Sequence, residues 1–481
     1  MATIVLSAAG MALGGSIGGT TLGLSNTVIG RAIGATLGRV IDQRVMGGSD
    51  AVETGRIDRF RLTGASEGSA IPQIHGQMRV GGQVIWATRF LETTTTTGGS
   101  GKGSRQPSVT NYAYTVSLAI AVCEGPITRI GRIWADGVEI AADDLTLRVY
   151  KGGEDQFPDP KIEAVEGTGN APAYRGTAYV VIEDLNLGLF GNRIPQFSFE
   201  VVKTSADDIA QKVRGMALIP GTGEYALATT PVTVNDGLGA YRSLNVHTAA
   251  GKADIEVSLD ALTDEAPNLA TASLIVSWFG DDLRCGSCRI GPRAETLGPD
   301  PIDMPWQVSG ADRATAGLVP YVDDRPVYGG TPTDQSVVQA IQSLTARGIS
   351  PVFYPFVLME QLSDNTLPDP WGAVTQPALP WRGRITLSLA PTQSGTPDKT
   401  ALAEAEVTAF FGTAQASDFA INGRSVTYSG PAEWSYRRFI LHYAHLCAAA
   451  GGVGVFCIGS ELRGLTEIRG ANGFPAVDQL R

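Results

Sequence analysis

The pattern of hydrophobic positions divides the chain into three regimes. Residues 1–30 carry no Asp, Glu, Lys or Arg, are rich in Ala, Ile, Leu and Gly, and meet their first charge at Arg31. From about Ala51, short segments such as 77–86, 113–122 and 176–182 alternate apolar and polar residues between Gly, Pro and Asp turns. A period of two marks half-buried strands, so this region predicts a β domain. Past about Gly237, apolar runs alternate with helical stripes, which predicts α/β architecture with a parallel sheet. The boundaries read as 1–50, 51–236 and 237–481.

Within the third regime, 273–279 is an apolar run of the fully buried kind. Thr333 stands where it caps a helix whose Val337, Val338, Ile341 and Leu344 form one stripe, with Gly348 as its stop. A strand over 351–359, a helix near 399–411 and a helix near 433–450 follow, the last with Tyr436, Ile440, Tyr443 and Cys447 on one face. A strand over 453–458 runs straight into Gly459-Ser460-Glu461. A short helix is expected near 206–216, and the threonine- and glycine-rich run 93–104 reads as a mobile loop between two strands. Three or four strand–helix units fit between Gly237 and Arg481 where a closed (β/α)₈ barrel has eight strands. The expectation is therefore an incomplete barrel, a chain that stops midway through it.

Glycine spacing changes the picture of the first regime. Its apolar length matches a bilayer span of ~20 residues, yet each glycine costs roughly 1 kcal/mol relative to Ala in an exposed helix. The glycines recur every four residues as Gly10/Gly14/Gly18, Gly15/Gly19/Gly23 and Gly30/Gly34/Gly38, the small-xxx-small pattern of closely packed helices. The reading is a helical segment that packs tightly with copies of itself and then enters a membrane. The alternative is a glycine-rich arm that orders only against neighbouring subunits. No positive n-region precedes the apolar run, so the segment reads as retained rather than as a secretory signal.

Composition adds constraints. Apolar residues at 43% and charged residues at 18% describe an ordered globular chain, and Gly 59 with Pro 27 suits turn-rich β domains. A net charge of −11 argues against nucleic-acid binding, which needs clustered Lys and Arg. The five cysteines, Cys123, Cys285, Cys288, Cys447 and Cys457, are odd in number and sparse. No disulfide framework follows, and assembly in a reducing cytoplasm is the natural inference.

Three stretches of the β region are distinctive: Gly64-Ala-Ser-Glu-Gly-Ser-Ala-Ile-Pro-Gln-Ile-His-Gly-Gln-Met-Arg-Val-Gly-Gly-Gln-Val-Ile-Trp86; Ala121-Val-Cys-Glu-Gly-Pro126 with Ile133-Trp-Ala-Asp-Gly137; and Tyr174-Arg-Gly-Thr-Ala-Tyr-Val-Val-Ile-Glu-Asp184 with Phe190-Gly-Asn-Arg-Ile-Pro-Gln-Phe-Ser-Phe-Glu200. They resemble the large baseplate protein (megatron) family of gene transfer agents and, more distantly, the host-specificity tail-tip proteins of lambda-like phages. Trp278-Phe-Gly-Asp-Asp-Leu-Arg284, Trp381-Arg-Gly-Arg384, Glu433-Trp-Ser-Tyr-Arg-Arg-Phe439 and Ile458-Gly-Ser-Glu-Leu-Arg-Gly464 resemble the TIM-barrel-like domain of the same family. The resemblance implies a multidomain virion protein with a glycine-rich helical N-terminal segment, a β-rich tail hub and an incomplete glycosidase-like barrel. It further implies three copies around the tail axis, contact with other baseplate proteins, and approach to the host outer membrane or its surface glycans. The particle, assembled in the host cytoplasm, would be its location.

Glu461 is the first candidate for chemistry. A carboxylate at the carboxyl end of a barrel strand lies on the face where TIM-barrel active sites sit. The motif is similar to the acid/base position of β-mannanase-like and cellulase-like glycosidases, with Ser460 where many have Asn. Retaining hydrolysis needs a second carboxylate about 5 Å away, which in those families comes from a late strand. The plain alternative is a carboxylate paired with Arg463 or another arginine. Asp281 and Asp282 also fall at a strand end and are candidates for sugar hydroxyls, while Trp278, Tyr354, Trp381 and Trp434 offer stacking surfaces or core. Cys285-Gly-Ser-Cys288 has the spacing of half a zinc site without a second half, so no metal is expected. Gly152-Gly153 lacks the Gly-Lys-Ser/Thr of a phosphate loop, and no cofactor is implied. Two rival readings remain open: a free polysaccharide-degrading glycoside hydrolase, and a truncated prophage remnant.

Overall fold

The computed structural model describes residues 68–97, 109–205, 207–219 and 223–481, together with the backbone of Thr20–Thr21, Leu24–Ser25 and Val52–Thr54. The glycines expected to pack helices together, Gly10, Gly14, Gly15, Gly18, Gly19, Gly23, Gly30, Gly34 and Gly38, all lie outside the described residues. Between Gly19 and Gly23 and just beyond, the described backbone is extended and not helical, with Thr20 paired to Ser25 and Thr21 to Leu24 in an antiparallel ladder. The chain divides into two compact units. One comprises Met1–Gln211 with Thr248–Gly251 and Asp260–Pro267; the other comprises Lys212–His247, Lys252–Leu259 and Asn268–Arg481.

The first unit contains β1 (Gly76–Gly81), β2 (Gln83–Ala87), β3 (Leu91–Thr97), β4 (Val109–Glu124), β5 (Arg129–Ala135), β6 (Val138–Ile140), β7 (Thr146–Tyr150), β8 (Thr177–Asn186) and β9 (Phe197–Lys203). These strands form two sheets, antiparallel apart from the pairing of Val52–Thr54 with Val109–Asn111. In one, β8 lies between β7 and the long β4, whose other edge takes β2 and β3; the other runs β1-β9-β5-β6. Val116, Leu118, Ile120 and Val122 of β4 join Val180 and Ile182 of β8 and Phe197, Phe199 and Val201 of β9 in one buried cluster. Alternate residues of the first sheet, Ala119, Tyr179 and Val181, are covered on the opposite face by Ile162 of a short helix, α1 (Pro160–Glu166). Burial on both faces explains the unbroken apolar run Ala178–Ile182, in which a period of two is absent.

Two further expectations are corrected here. Thr93–Thr97 is part of β3, paired from Thr93↔Ala113 to Thr97↔Val109, rather than loop. The threonine Cβ branch suits a pleated strand, and the Thr93 hydroxyl donates to the Ala113 carbonyl at 3.2 Å. The helix expected near 206–216 is instead one 3₁₀ turn, Ile209–Lys212, followed by a strand, β10 (Gly215–Leu218). Tertiary pairing decides this segment, because Gly215–Leu218 runs parallel to Thr271–Leu274.

The second unit is built on β10, β11 (Thr271–Gly280), β12 (Ser350–Met359) and β13 (Val455–Phe456), all parallel and in chain order across the sheet. Among the described residues this sheet does not close into a barrel. Helices α2 (Asp334–Ala346), α3 (Ala401–Phe411) and α4 (Tyr436–Ala449) contribute to its main core. On β12, Phe353, Val357 and Met359 are buried while Tyr354, Phe356 and Leu358 are half-buried, so the two faces differ. Phe353 meets Tyr443 of α4 with ring centroids 5.1 Å apart.

The caps follow their sequences with one exception. Gly348, at φ +75°, donates to the Thr345 carbonyl while Ile349 donates to Leu344, which closes α2 as a Schellman turn. Ser435 Oγ caps α4 by accepting from Arg438 N at 3.3 Å. Thr333 occupies the N-cap of α2 but makes no side-chain cap; its hydroxyl accepts from Gln307 N at 3.2 Å instead. Among the described residues no helix is long and apolar enough to cross a membrane.

Candidate functional site at the strand ends

The ladder between β12 and β13 ends at Phe353↔Phe456, and Cys457 N still donates to the Phe353 carbonyl at 3.0 Å. The backbone then turns, and Glu461 adopts φ +53°, a left-handed conformation sparsely used by residues with a Cβ. Its side chain stays half-exposed at 50%, whereas its partner Arg382 is 4% exposed. Glu461 Oε2 accepts from the Trp381 indole at 2.6 Å and lies 3.1 Å from Arg382 Nη2. Oε1 has no partner among the described residues.

Arg382 organises the cluster. Its Nε donates to the Ser460 carbonyl and its Nη2 to Ser460 Oγ, each at 3.1 Å, and its guanidinium lies 3.6 Å over the Phe356 ring. Ser460 Oγ also bonds the Tyr354 hydroxyl, and Tyr436 OH donates to the Ile458 carbonyl at 2.9 Å. Burial pulls the Arg382 guanidinium below its ordinary pKa, against the opposing pull of Glu461. Gly383 is required here, since a Cβ would come within 2.4 Å of the Trp381 ring. The result is a half-exposed indole beside a half-exposed carboxylate, both held from below.

The structure sorts the other candidates. Trp278 is fully buried on the helix-facing side of β11, where its Nε1 donates to Tyr443 OH at 2.9 Å and its ring packs against Trp434, Phe439 and His442. It offers no surface to a ligand, which corrects that expectation. Asp282 is likewise 4% exposed and tied to Arg284 N, Nε and Nη2 and to Gln376 Nε2, so its oxygens serve the fold. Trp434 is half-buried beneath the Arg438 guanidinium at 3.6 Å. Tyr354 joins Glu461 through Ser460. Asp281 lies elsewhere, with Oδ1 accepting from Arg289 N at 2.7 Å.

The thiols of Cys285 and Cys288 are buried in the main core, and burial pushes both well above their ordinary range. His442 bonds Asp334 at 2.9 Å and His445 bonds the Leu441 carbonyl at 2.8 Å, so the two histidines serve different partners. Among the described residues no group of three or more His, Cys, Asp or Glu is placed to hold a metal ion. Sequence reading left the partner of Glu461 open between Arg463 and another arginine; the pairing falls to Arg382, whose only signal was the Trp381-Arg-Gly-Arg384 motif. Arg463, the neighbour in sequence, pairs instead with Glu467 one turn along at 2.8 Å.

Residues 434–481, which include α4, β13 and Glu461, match the family described as the GTA TIM-barrel-like domain. No curated protein matches the chain. Among solved structures, a chain in "Virion of native gene transfer agent (GTA) particle" is similar, with 52% identity, 45% of this chain and 44% of that chain covered, and a TM-score of 0.27. The matched region thus spans less than half the length of that relative.

Proposed function

We propose that this chain is a structural component of a gene-transfer-agent or phage-type particle, working as a hub at the tail tip. In this reading three copies surround the tail axis, the glycine-spaced N-terminal segments gather near it, and neighbouring tail proteins are the immediate partners. The parallel-sheet unit meets host surface glycans through the Trp381–Glu461 face. The observation that carries the reading is the family match over 434–481, which contains the strand-end carboxylate Glu461. An indole beside a carboxylate suits a sugar, whose ring stacks on the aromatic face while its hydroxyls donate to the acid.

The test is proteomic. Density-purified particles from a producing strain are expected to contain this polypeptide in fixed ratio to tail proteins. Its presence only in the free soluble fraction would favour a secreted hydrolase and end the structural reading.

A further inference from the structure

A cavity of about 330 Å³ opens within the second unit, between the C-terminal half of α2, the segment 229–230 and the apex of the hairpin Phe419–Asn422/Ser425–Tyr428. It shares no lining residue with the Trp381–Glu461 face. Its floor is fixed by Gln339, 4% exposed, which accepts from Thr229 N at 2.9 Å and donates to Thr230 Oγ1 at 3.1 Å. The buried Asn245 amide donates to the Thr230 carbonyl at 2.9 Å and holds the same segment.

One wall is closed on itself. Glu256, on the helix Asp254–Glu265, accepts from Ser343 Oγ at 2.6 Å through Oε1 and from Arg347 Nη2 at 2.8 Å through Oε2. Arg347 Nη1 also donates to Ser343 Oγ. Both oxygens of Glu256 and the charge of Arg347 are thereby committed to one another.

Arg424 gives the lining a different character. It and Gly423 form the two-residue turn of the hairpin, since Asn422 pairs with Ser425. Gly423 at φ +59° takes the left-handed first position of a type II′ turn, and Arg424 follows outside the left-handed region. The hairpin is anchored below its apex by the buried Val426, whose N–H donates to Asp334 at 3.3 Å. The exposed Arg424 guanidinium has neither hydrogen bond nor ion pair among the described residues. The side-chain amide of Gln342, three residues along α2 from Gln339 and so on the same helix face, is likewise uncommitted among them.

The lining holds one anion, Glu256, against two cations, Arg347 and Arg424, which leaves one net positive charge on the unpaired Arg424. Three groups remain able to donate: the Arg424 guanidinium, the Gln342 amide and the Thr230 hydroxyl, whose oxygen already accepts from Gln339. Free donors around one uncompensated cation suit an anion with acceptor oxygens. A phosphate monoester carries about −1.5 to −2 at pH 7, more than Arg424 balances, and its excess would face Glu256. A single carboxylate matches the charge.

We propose that this cavity binds a carboxylate, with Arg424 and Gln342 donating to its oxygens and Thr230 donating to a neighbouring acceptor of the same ligand. A free hydroxy acid and an acidic side chain of a second polypeptide share this chemistry, and the test separates them.

The test is calorimetric titration of the whole chain with lactate, with the blocked peptide acetyl-Gly-Glu-Gly-amide, with lactamide and with inorganic phosphate. Saturable binding of lactate or of the peptide is expected, with phosphate weaker and lactamide silent. The tighter of the two carboxylates identifies the source. Arg424→Gln, at an exposed turn position, is expected to keep the melting temperature and weaken binding about tenfold or more, the loss of one charged hydrogen bond. Arg463→Gln removes an exposed arginine that is paired with Glu467, and is expected to leave binding unchanged. No saturable binding of either carboxylate, phosphate tighter than both, lactamide equal to lactate, full binding in Arg424→Gln, or equal loss in the two arginine variants overturns the assignment.

Discussion

The indole N–H of Trp381 and the carboxylate of Glu461 stand 80 residues apart in the chain and meet at 2.6 Å. The contact depends on glycine at 383, because a methyl group there would displace the ring. Gly383→Ala is therefore expected to push the indole off Glu461 while leaving the buried Arg382 contacts in place. The check is tryptophan fluorescence together with binding to isolated host surface polysaccharide. A shifted emission and weakened binding at near-normal melting temperature are expected.

Arg382 bears more load than Glu461. Replacement by Lys keeps a charge but cannot reproduce the fork to Ser460 or the planar stack on Phe356. Leaving the Ser460 groups without their donor should cost about 1–3 kcal/mol in urea unfolding. Glu461→Gln, at a half-exposed position, should cost less than Arg382→Lys. The reverse order would mean that the carboxylate, not the guanidinium, holds the loop.

Tyr443→Phe tests the core. It removes the acceptor for the Trp278 indole in a site from which both rings exclude water. An unmatched buried N–H costs about 1–3 kcal/mol, measurable as a lowered urea midpoint with unchanged slope.

The first unit should show an acid-sensitive step at Asp159. Burial alone would raise its carboxyl, but hydrogen bonds from Arg148, Tyr150 and the backbone N–H groups of Ile162 and Lys161 bring it below the ordinary Asp value. A depressed carboxyl adds stability that is present above the unfolded value and lost as pH falls through the folded one. Melting temperature should therefore drop as pH goes from the ordinary Asp range, about 3.9, to lower values. Asp159→Asn should flatten that part of the profile and lower stability at neutral pH.

Asp281 works with the opposite sign. A carboxyl raised by burial makes the fold bind a proton more tightly than the unfolded chain, so stability falls as pH rises from the unfolded value to the folded one. Asp281→Asn is then expected to raise the melting temperature at neutral pH while the acid-side value stays near that of the unaltered protein.

What was legible in the sequence was local. The stripe Val337, Val338, Ile341, Leu344 with Gly348 gave α2 because period and stop signal lie within one helix. Strands buried on both faces, such as 273–279, stood out as apolar runs. Thr93–Thr97 was misread because polarity and strand propensity conflict in threonine, and only pairing with Ala113 to Val109 resolves the conflict. Glu461 was visible from its place after an apolar run, while its partner was not. A neighbouring Arg463 is the natural guess from sequence, yet that side chain points along its own helical turn to Glu467 and the role falls to Arg382.

The most direct measurement is cryo-electron microscopy of purified particles from a strain that encodes this chain. The account predicts density for its two-sheet unit at the distal end of the tail, in three copies around the axis. Particles whose tail tips are fully built from other proteins, with no density for this fold, would contradict it.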